Sequence, residues 1–412
     1  ESQLLGSQND MATIRLGRMK RLINKILFGL TLTGGSLGLH SCGDWLDINS
    51  NELAATKTEA GYLFNYAAIN YSSKRVGGDQ WLPIIYAAQV ASDADNWLVG
   101  DDMYNISTYA TGNGWVTSYS SCGYNLLKAI EFATGENDSN SVAQCKILLA
   151  NTVWESSMLY GDIPYSEAWN IEGTQTPKFD TQKDVFYSVI GLLDEALDGI
   201  DESNSKRIDK YDIYYTGDMA KWRRLGNSLK LKFYMYLANK EDVGDEIKAI
   251  IDGGELMNSS ADDFVFPFYT TPGNQNPNYQ LTVQYPDYYE YCFFANPTVL
   301  DPMKALDDPR IPIYFRANAD GEYISLEASE KGSVVTDKEI SEKPSLCTEA
   351  VFQKNNLLRA DYPDVICSYA ETMFYVAEAY VRGLGVAKDL AQADAAYRKG
   401  IEASCVYNGV AA

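Results

Sequence analysis

The segment "SYAETMFYVAEAYVRGLG", residues 368–385, shows the helical character of this chain most clearly. Its apolar residues recur three and four positions apart, which is typical of an amphipathic helix. Gly383 and Gly385 are expected to end that helix. A second helical pattern, "DLAQADAAYRKGIEAS" at 389–404, follows after a short turn. Because small alanines alternate with larger residues, the two helices are expected to pack closely as an antiparallel pair.

This pair resembles a tetratricopeptide-type helical hairpin, a unit that buries its apolar face by stacking on similar units. Thr181 is the predicted N-cap of an earlier helix, with Asp184 in its first turn. Gly161 and Pro164 are predicted to end the helix before it. The sequence therefore predicts a mainly α-helical scaffold of tetratricopeptide-like helix pairs, whose earlier members lie within residues 120–134, 141–161, 183–200 and 218–239.

Two long segments lack this periodicity. Residues 255–365 are rich in Pro, Gly, Asn, Asp and Tyr, and residues 74–115 have a similar loop-like character. Both are far longer than ordinary connections between elements, and long ordered loops on a rigid scaffold commonly carry function. We expect a long, irregular, loop-rich region with short strands on one face of the helical scaffold.

The N-terminal part is typical of an export signal. A basic start with Lys20, Arg21 and Lys25 precedes a mostly apolar run at 26–39 and then small residues. This order is that of a secretory signal, and the apolar run is too short for a comfortable membrane span. A buried helix is the alternative, but the glycines in the run and the lack of a polar face disfavour it.

The signal ends at "Leu39-His40-Ser41-Cys42", which resembles a bacterial lipobox. This resemblance implies that Cys42 becomes the lipidated first residue, with cleavage by an ordinary signal peptidase as the alternative. Asp44 suits a lipoprotein that is exported to an outer membrane. We therefore divide the chain into upstream residues plus a lipoprotein signal at 1–41 and a single domain at 42–412.

Composition excludes several function classes. His40 is the only histidine and leaves with the signal, which removes Ser-His-Asp and Cys-His catalysis and every histidine-containing metal site. The net charge of −22 disfavours nucleic-acid binding, because nucleic acid is bound mainly through Lys and Arg. Apart from Cys42, the cysteines are scattered without metal-ligand spacing. Buried free thiols are favoured for them over three disulfides.

Several short sequence segments, taken in order, resemble the SusD/RagB family of Bacteroidetes outer-membrane lipoproteins. They are "LYGDIPYSEA" (159–168), "PKFDTQKDVFYSVIGLLDEAL" (177–197), "YYTGDMAKWRRLGNSLKLKFYMYLA" (214–238), "DDPRIPIYF" (307–315) and "SYAETMFYVAEAYVRG" (368–383). Most of these phrases are interpreted as scaffold. Asp308 and Arg310, for example, are expected to form a capped turn with an internal ion pair.

The resemblance implies four tetratricopeptide-like helix pairs with a large irregular region. It also implies a cell-surface lipoprotein that is anchored to the outer membrane and covers a SusC-like TonB-dependent barrel. Such a protein captures an oligosaccharide or another nutrient, and neither catalysis nor a cofactor is expected. Family members usually continue beyond the last helix pair, so this chain is either truncated at its C-terminus or a short variant.

Sugar-binding residues are expected in the irregular segments. The C–H face of a pyranose lies on an aromatic ring, while its hydroxyls need amide or carboxylate partners. Trp97, flanked by Asp95 and Asn96, is the first candidate. The alternative is that such rings fix the loops to the scaffold, whereas Trp115 and Trp154 lie in helical patterns and are interpreted as core. Further candidate ligand contacts are Trp81, Tyr104 and Tyr289.

Two other interpretations of the acidic residues remain. The clusters "SDADN" and "GDD" have the oxygen ligands that Ca²⁺ prefers, but no EF-hand spacing is present and solvated loops are favoured, so no metal is expected. Paired carboxylates are also the catalytic groups of glycoside hydrolases. The alternatives to nutrient binding are therefore a carboxylate-based glycoside hydrolase and a tetratricopeptide-like protein-assembly module that binds no small molecule.

Overall fold

The fold is given by a computed structural model. It describes residues 59–77, 84–85, 88–92, 101–104, 108–170, 172–284, 293–328, 348–353 and 355–411. By its contacts the chain divides after Lys57, and every described residue belongs to the unit Thr58–Ala412. The predicted signal and Cys42 lie outside the described residues, so the proposed boundary at 41/42 stays a prediction.

Helices dominate the described residues. They are α1 (Ala60–Arg75), α2 (Thr108–Val116), α3 (Tyr124–Gly135), α4 (Ser139–Tyr160), α5 (Gln182–Gly199), α6 (Met219–Leu237), α7 (Gly244–Gly253), α8 (Pro277–Gln284), α9 (Pro297–Ala305), α10 (Ile311–Tyr314), α11 (Tyr369–Arg382) and α12 (Leu390–Tyr407). A π-helical segment, Thr117–Gly123, joins α2 to α3.

Four helix pairs form the scaffold. α1 packs on α3, α4 on α5, α6 on α7, and α11 on α12, while α6 also contacts α5 and α11. Their shared core is apolar and includes the fully buried side chains of Phe64, Trp222 and Phe233. The predicted fold class is confirmed. None of the helices in the described ranges is both long and apolar enough to cross a membrane.

The helix ends follow the predicted signals. The side chain of Thr181 accepts a hydrogen bond from the main-chain N–H of Asp184 at 3.1 Å and caps α5. Gly161 and Gly383 follow α4 and α11 with φ of 75° and 73°. Glycine adopts this backbone conformation without the steric cost that other residues pay. These residues define the ends of the helices, which apolar periodicity alone locates only approximately.

Helices also occur where the sequence suggests loops. All of α2 except Val116 lies in the predicted loop segment 74–115, and α8, α9 and α10 lie inside 255–365. The α2 sequence contains Gly112 and Gly114, which lower its helix propensity. The other three helices are short, and each has a Pro at its first or second position. Pro is tolerated at the start of a helix, but in a sequence it resembles a loop signal. Tertiary contacts override both signals.

The irregular region contains a small sheet and a second core. The strands β1 (Ala91–Ser92), β3 (Phe294–Ala295), β5 (Val351–Phe352) and β4 (Phe315–Arg316) pair antiparallel in that spatial order. A separate two-stranded sheet pairs β2 (Phe264–Phe266) with β6 (Asp364–Cys367). Side chains that include Phe293, Leu300, Phe315 and Phe352 form an apolar cluster of their own. The sheet gives this region a fixed framework.

A partly buried ion-pair network joins β6 to the helices. Arg75 at the end of α1 pairs with Glu155 of α4 at 3.1 Å and with the fully buried Asp364. Tyr71 donates a hydrogen bond to Glu155 as well. Burial works to lower the pKa of Arg75, but Asp364 and Glu155 together raise it well above its ordinary value. The guanidinium therefore stays charged between two carboxylates and holds α1, α4 and β6 together.

Candidate functional site

Tyr104 combines exposure with an unfavourable backbone conformation. It follows a short 3-10 helix, Asp101–Met103, and 69% of its surface is exposed to solvent. Its φ is +63°, in the left-handed region that residues other than glycine rarely adopt. Such a conformation costs on the order of 1 kcal/mol and persists only where the surroundings fix it. An exposed aromatic residue whose backbone is held in this way is a candidate ligand contact.

A buried hydrogen-bond network provides the fixation. The side chain of Gln89 donates to the main-chain carbonyl of Asp102 at 2.7 Å. Asn296 donates to Gln89 at 3.4 Å and to the hydroxyl of Ser92 at 2.8 Å. Ser92, Asp102 and Asn296 are almost completely buried. Buried polar groups with satisfied partners give a unique local structure, and this network positions the residues that lead into Tyr104.

Asn296 links the network to the sheet. Its side-chain oxygen accepts from the main-chain N–H of Thr298 at 2.9 Å and so caps α9. β1 pairs with β3 through Ala91 and Ala295. Ser92 lies just before the segment 93–100, and Asp102 lies shortly after it. Hydrogen bonds through Asn296 thus join both residues to the end of β3 and the N-terminus of α9. The predicted contacts Asp95, Asn96 and Trp97 belong to that segment.

A cavity of about 310 Å³ lies beside this unit. It is mostly apolar and touches residues of both hydrophobic cores. Val90, the neighbour of Gln89 in the chain, is part of its wall. The volume suits a small apolar or ring-shaped group. The described residues that line it are Val76, Ile85, Val90, Asn276, Asn278, Val299, Tyr314, Phe315, Phe352, Leu357 and Tyr362.

Comparison with known proteins gives the family. The model of the SusD-like_2 family, described as "Starch-binding associating with outer membrane", matches residues 51–411. The chain belongs to the SusD-like_2 family. The resemblance inferred from the sequence phrases is confirmed.

Solved structures agree with the family. A SusD homolog from Bacteroides fragilis is 25% identical to this SusD-like chain, with a TM-score of 0.64 over 85% of this chain and 73% of that chain. A chitin-binding protein is 21% identical, with a TM-score of 0.71 over 86% and 76%. A SusD/RagB family protein from Bacteroides thetaiotaomicron is 20% identical, with a TM-score of 0.68 over 85% and 72%. No curated protein sequence is significantly similar.

Of the sequence-predicted ligand contacts of this SusD-like chain, only Tyr104 falls on described residues. The structure leaves it exposed, as a ligand contact requires. The remaining predicted contacts and the lipidation site stay predictions, because they lie outside the described residues: Trp81, Asp95, Asn96, Trp97, Tyr289 and Cys42.

Trp115 and Trp154 differ in their surroundings. Trp154 is buried in the scaffold and stacks on Phe233 with ring centroids 4.8 Å apart, which confirms it as core. Trp115 is only partly buried, and its ring neighbours at the surface are Tyr119, Tyr160 and the exposed Phe179. This surface cluster was not apparent from the sequence, because its members come from three separate segments.

The described cysteines of this SusD-like chain and the Asp308 carboxylate are part of the fold. Cys122, Cys145, Cys367 and Cys405 are buried and free, as predicted, and burial raises the pKa of the Cys122 thiol to about 12. Within the described ranges no three His, Cys, Asp or Glu side chains are grouped as metal ligands would be. Asp308 accepts from the Arg310 guanidinium at 2.9 Å, which confirms the predicted ion-paired turn.

Three described carboxyl groups have a raised pKa, and each is engaged in the fold. Burial raises the pKa of Asp212, which accepts from the Trp222 indole at 2.8 Å. Burial also raises the pKa of Asp263 to about 6, and this group accepts from the main-chain N–H of Tyr369 at 2.6 Å. Asp364 belongs to the Arg75 network. Burial raises the pKa of Asp364 as well, and each of the three groups accepts a hydrogen bond or forms an ion pair within the fold.

Proposed function

We propose that this SusD-like chain is a cell-surface glycan-binding lipoprotein that delivers its ligand to a TonB-dependent outer-membrane transporter. The observation that carries the binding proposal is the exposed Tyr104 ring, held in a left-handed conformation above a buried network. Because the main chain that leads to Tyr104 is already fixed, less conformational entropy is lost when a sugar packs on the ring. The family description supports a glycan as the ligand.

The proposed contacts extend from Tyr104 into the neighbouring segments. Trp97 would supply a second ring, and Asp95 and Asn96 would accept and donate hydrogen bonds to sugar hydroxyls. Trp81 and Tyr289 are proposed as further rings. Support comes from the chain order, since Ser92 and Asp102 on either side of the 93–100 segment share one network.

The proposed location and partner follow from the family and the N-terminal sequence. A lipid on Cys42 would anchor the protein in the outer membrane, and a SusC-like TonB-dependent barrel would receive the ligand. The family description, which includes association with the outer membrane, supports this location. Co-purification with the barrel encoded nearest in the genome tests the partner. Failure to recover any barrel with the intact lipoprotein would contradict the delivery step.

We propose binding without turnover. A glycoside hydrolase needs two carboxyl groups that flank the substrate, one of them with a raised pKa. The raised-pKa carboxyl groups of the described residues are instead hydrogen-bonded within the fold. Incubation with the bound glycan tests this point, because release of shorter products that an Asp or Glu substitution abolishes would support a hydrolase.

Affinity electrophoresis against a polysaccharide panel tests the binding site. The panel includes starch, and it also includes soluble chitin oligosaccharides as competitors, because one similar structure is a chitin-binding protein. Tyr104→Ala should reduce retardation by the bound glycan, whereas Tyr66→Ala should not. Tyr66 is a matched control, since it is also an exposed tyrosine but lies on α1. Equal retardation of both variants would remove Tyr104 from the site.

A further inference from the structure

Three buried oxygen atoms lie where the helical scaffold meets the β2–β6 sheet. They are the hydroxyl oxygens of Ser72 on α1 and of Tyr214 before α6, and the Oδ2 oxygen of Asp364 on β6. Within the described residues, none of the three atoms has a hydrogen-bond partner. Ser72 is fully buried, and Asp364 is only 1% exposed. These atoms belong to other residues than the Tyr104 unit and go beyond the function proposed for that surface.

Ring contacts show how the three groups come together. The Tyr214 ring packs edge to face against Phe64 of α1 and Phe266 of β2, with centroid distances of 6.2 Å in both cases. Phe64 and Ser72 are eight positions apart and therefore share one face of α1. Phe266 lies directly opposite Asp364 in the sheet, so their side chains share one face of it. Tyr214 thus lies between the helix face and the sheet face that carry the other two groups.

The three groups also influence one another's ionisation. Burial raises the pKa of the Tyr214 phenol well above its ordinary value, and the Asp364 charge adds to this effect. Burial likewise raises the pKa of Asp364. The Ser72 hydroxyl opposes both changes, so it lies beside both groups, yet it forms no hydrogen bond of acceptable geometry with either. The three oxygens are therefore close neighbours that are not bonded to one another.

The polar groups around them are bonded elsewhere. The Arg75 guanidinium contacts the other Asp364 oxygen, Oδ1, and also Glu155 at 3.1 Å. Tyr71 donates to Glu155 and accepts from the Asn151 amide at 2.7 Å. A buried polar atom normally has a partner, because one left unpaired loses the hydrogen bond that water gave it in the unfolded chain. A partner from outside the polypeptide is therefore required.

We propose that one buried water molecule binds between Ser72, Tyr214 and Asp364 and joins the helical scaffold to β6. Water suits this set because it both donates and accepts, and buried waters typically form about three hydrogen bonds. It donates to Asp364 Oδ2 and to the Ser72 hydroxyl oxygen, and it accepts from the Tyr214 hydroxyl. A metal cation suits the set less well, because the nearby Arg75 guanidinium repels it.

Deletion of one hydroxyl tests the proposal through the sign of the stability change. Tyr214→Phe should lower the urea midpoint of unfolding, because it removes a hydrogen bond to the water. A raised midpoint would overturn the proposal, since removal of a hydroxyl without any partner relieves the cost of its burial. Tyr215→Phe is the matched control and should lower the midpoint, because this neighbouring hydroxyl is also buried and donates to the main-chain carbonyl of Asp262 at 2.6 Å.

A double variant tests whether the two hydroxyls share a partner. Ser72→Ala and Tyr214→Phe remove hydrogen bonds to the same water, so the stability lost in the double variant should differ from the sum of the two single losses. Urea denaturation of the wild type, the two single variants and the double variant measures this coupling. Additive losses would contradict a shared water molecule.

A crystal structure of the protein that resolves ordered waters identifies the ligand. Density should lie about 2.7–3.2 Å from each of the three oxygens. Direct hydrogen bonds among Ser72, Tyr214 and Asp364, without density between them, would overturn the proposal. Density at about 2.3–2.6 Å would indicate a cation such as Ca²⁺ and would equally contradict it. The unfolding midpoint should accordingly be the same in calcium chloride and in choline chloride of equal ionic strength.

Discussion

The side-chain amide of Gln89 donates a hydrogen bond to the main-chain carbonyl of Asp102 at 2.7 Å. Both Gln89 and Tyr104 have left-handed backbone conformations, with φ of 56° and 63°. The hydrogen bond therefore connects two turns that would not form this way unaided. Through Asn296 the same network reaches β1 and the N-terminus of α9. Tyr104 is exposed, but the residues that precede it are fixed by these buried hydrogen bonds.

Gln89→Ala should weaken glycan binding although Gln89 is not proposed to contact the ligand. Loss of one hydrogen bond of about 1 kcal/mol releases the Tyr104 turn, and affinity should fall about three- to tenfold. Gln275→Ala is the control, because this side chain also donates to a main-chain carbonyl, at 3.1 Å from Thr270, but in another loop. Calorimetry with the most strongly retained polysaccharide measures both. Equal effects of the two substitutions would argue against a positioning role.

Tyr104→Gly should be more stable than Tyr104→Ala. A left-handed backbone costs a residue with a Cβ about 1–2 kcal/mol, and the greater unfolded-state entropy of glycine offsets part of this difference. We expect a net advantage of about 0.5–1 kcal/mol for glycine in the free energy of unfolding. Urea denaturation of the two variants measures it. An alanine variant as stable as the glycine variant would show that the turn is not strained.

Gly385→Ala should destabilise the fold strongly. A Cβ atom at Gly385 would lie 1.7 Å from the main-chain oxygen of Gly244, at the start of α7, and its φ is +67°. Gly254 has nearly the same φ, +68°, but a Cβ atom added there would meet no atom within 4 Å. Gly254→Ala should cost about 1 kcal/mol and Gly385→Ala about 3 kcal/mol or more. Thermal unfolding of both variants compares the two costs, and similar values would contradict the close packing.

Asp263→Asn should stabilise the protein at neutral pH. Burial raises the pKa of Asp263 from 3.8 to about 6, so the folded state holds a proton that the unfolded state has lost between these values. Wild-type stability from this group is therefore greatest below about pH 4 and falls as the pH rises to about 6. The asparagine oxygen can still accept from Tyr369, so the substitution removes only the cost of the charge.

The gain should be near zero at pH 4 and about 1–2 kcal/mol at pH 7. The shift from 3.8 to about 6 is about two pKa units, or about 3 kcal/mol at roughly 1.4 kcal/mol per unit. Partial exposure of Asp263 to solvent reduces this figure to the stated range. Urea denaturation of wild type and variant between pH 4 and pH 7 measures the difference. A constant difference across this interval would show that Asp263 titrates normally in the folded protein.

Local signals made the scaffold predictable. The α11–α12 pair follows from apolar periodicity and from Gly383, and the start of α5 follows from Thr181 and Asp184. Each of these signals spans only a few positions, so the sequence contains it directly. The Asp308–Arg310 turn is equally local. The family phrases are for this reason mostly scaffold phrases.

The environment of the sites was not predictable in the same way. Asn296 lies more than 200 residues after Gln89 in the chain. It reaches Gln89 and Asp102 because β1 pairs with β3 in the folded protein. The composition of the segment suggested a binding loop with Tyr104, but not the network beneath it. Sequence periodicity marks a helix face but not the residue that lies opposite.

Hydrogen–deuterium exchange with and without bound glycan tests the location of the glycan site most directly. Peptides that cover residues 88–104 should exchange more slowly when the most strongly retained polysaccharide is present, because the ligand packs on Tyr104 and shields the main chain around it. Peptides from α11 and α12 should not change. Protection confined to the scaffold helices, with none in residues 88–104, would contradict glycan binding at this surface.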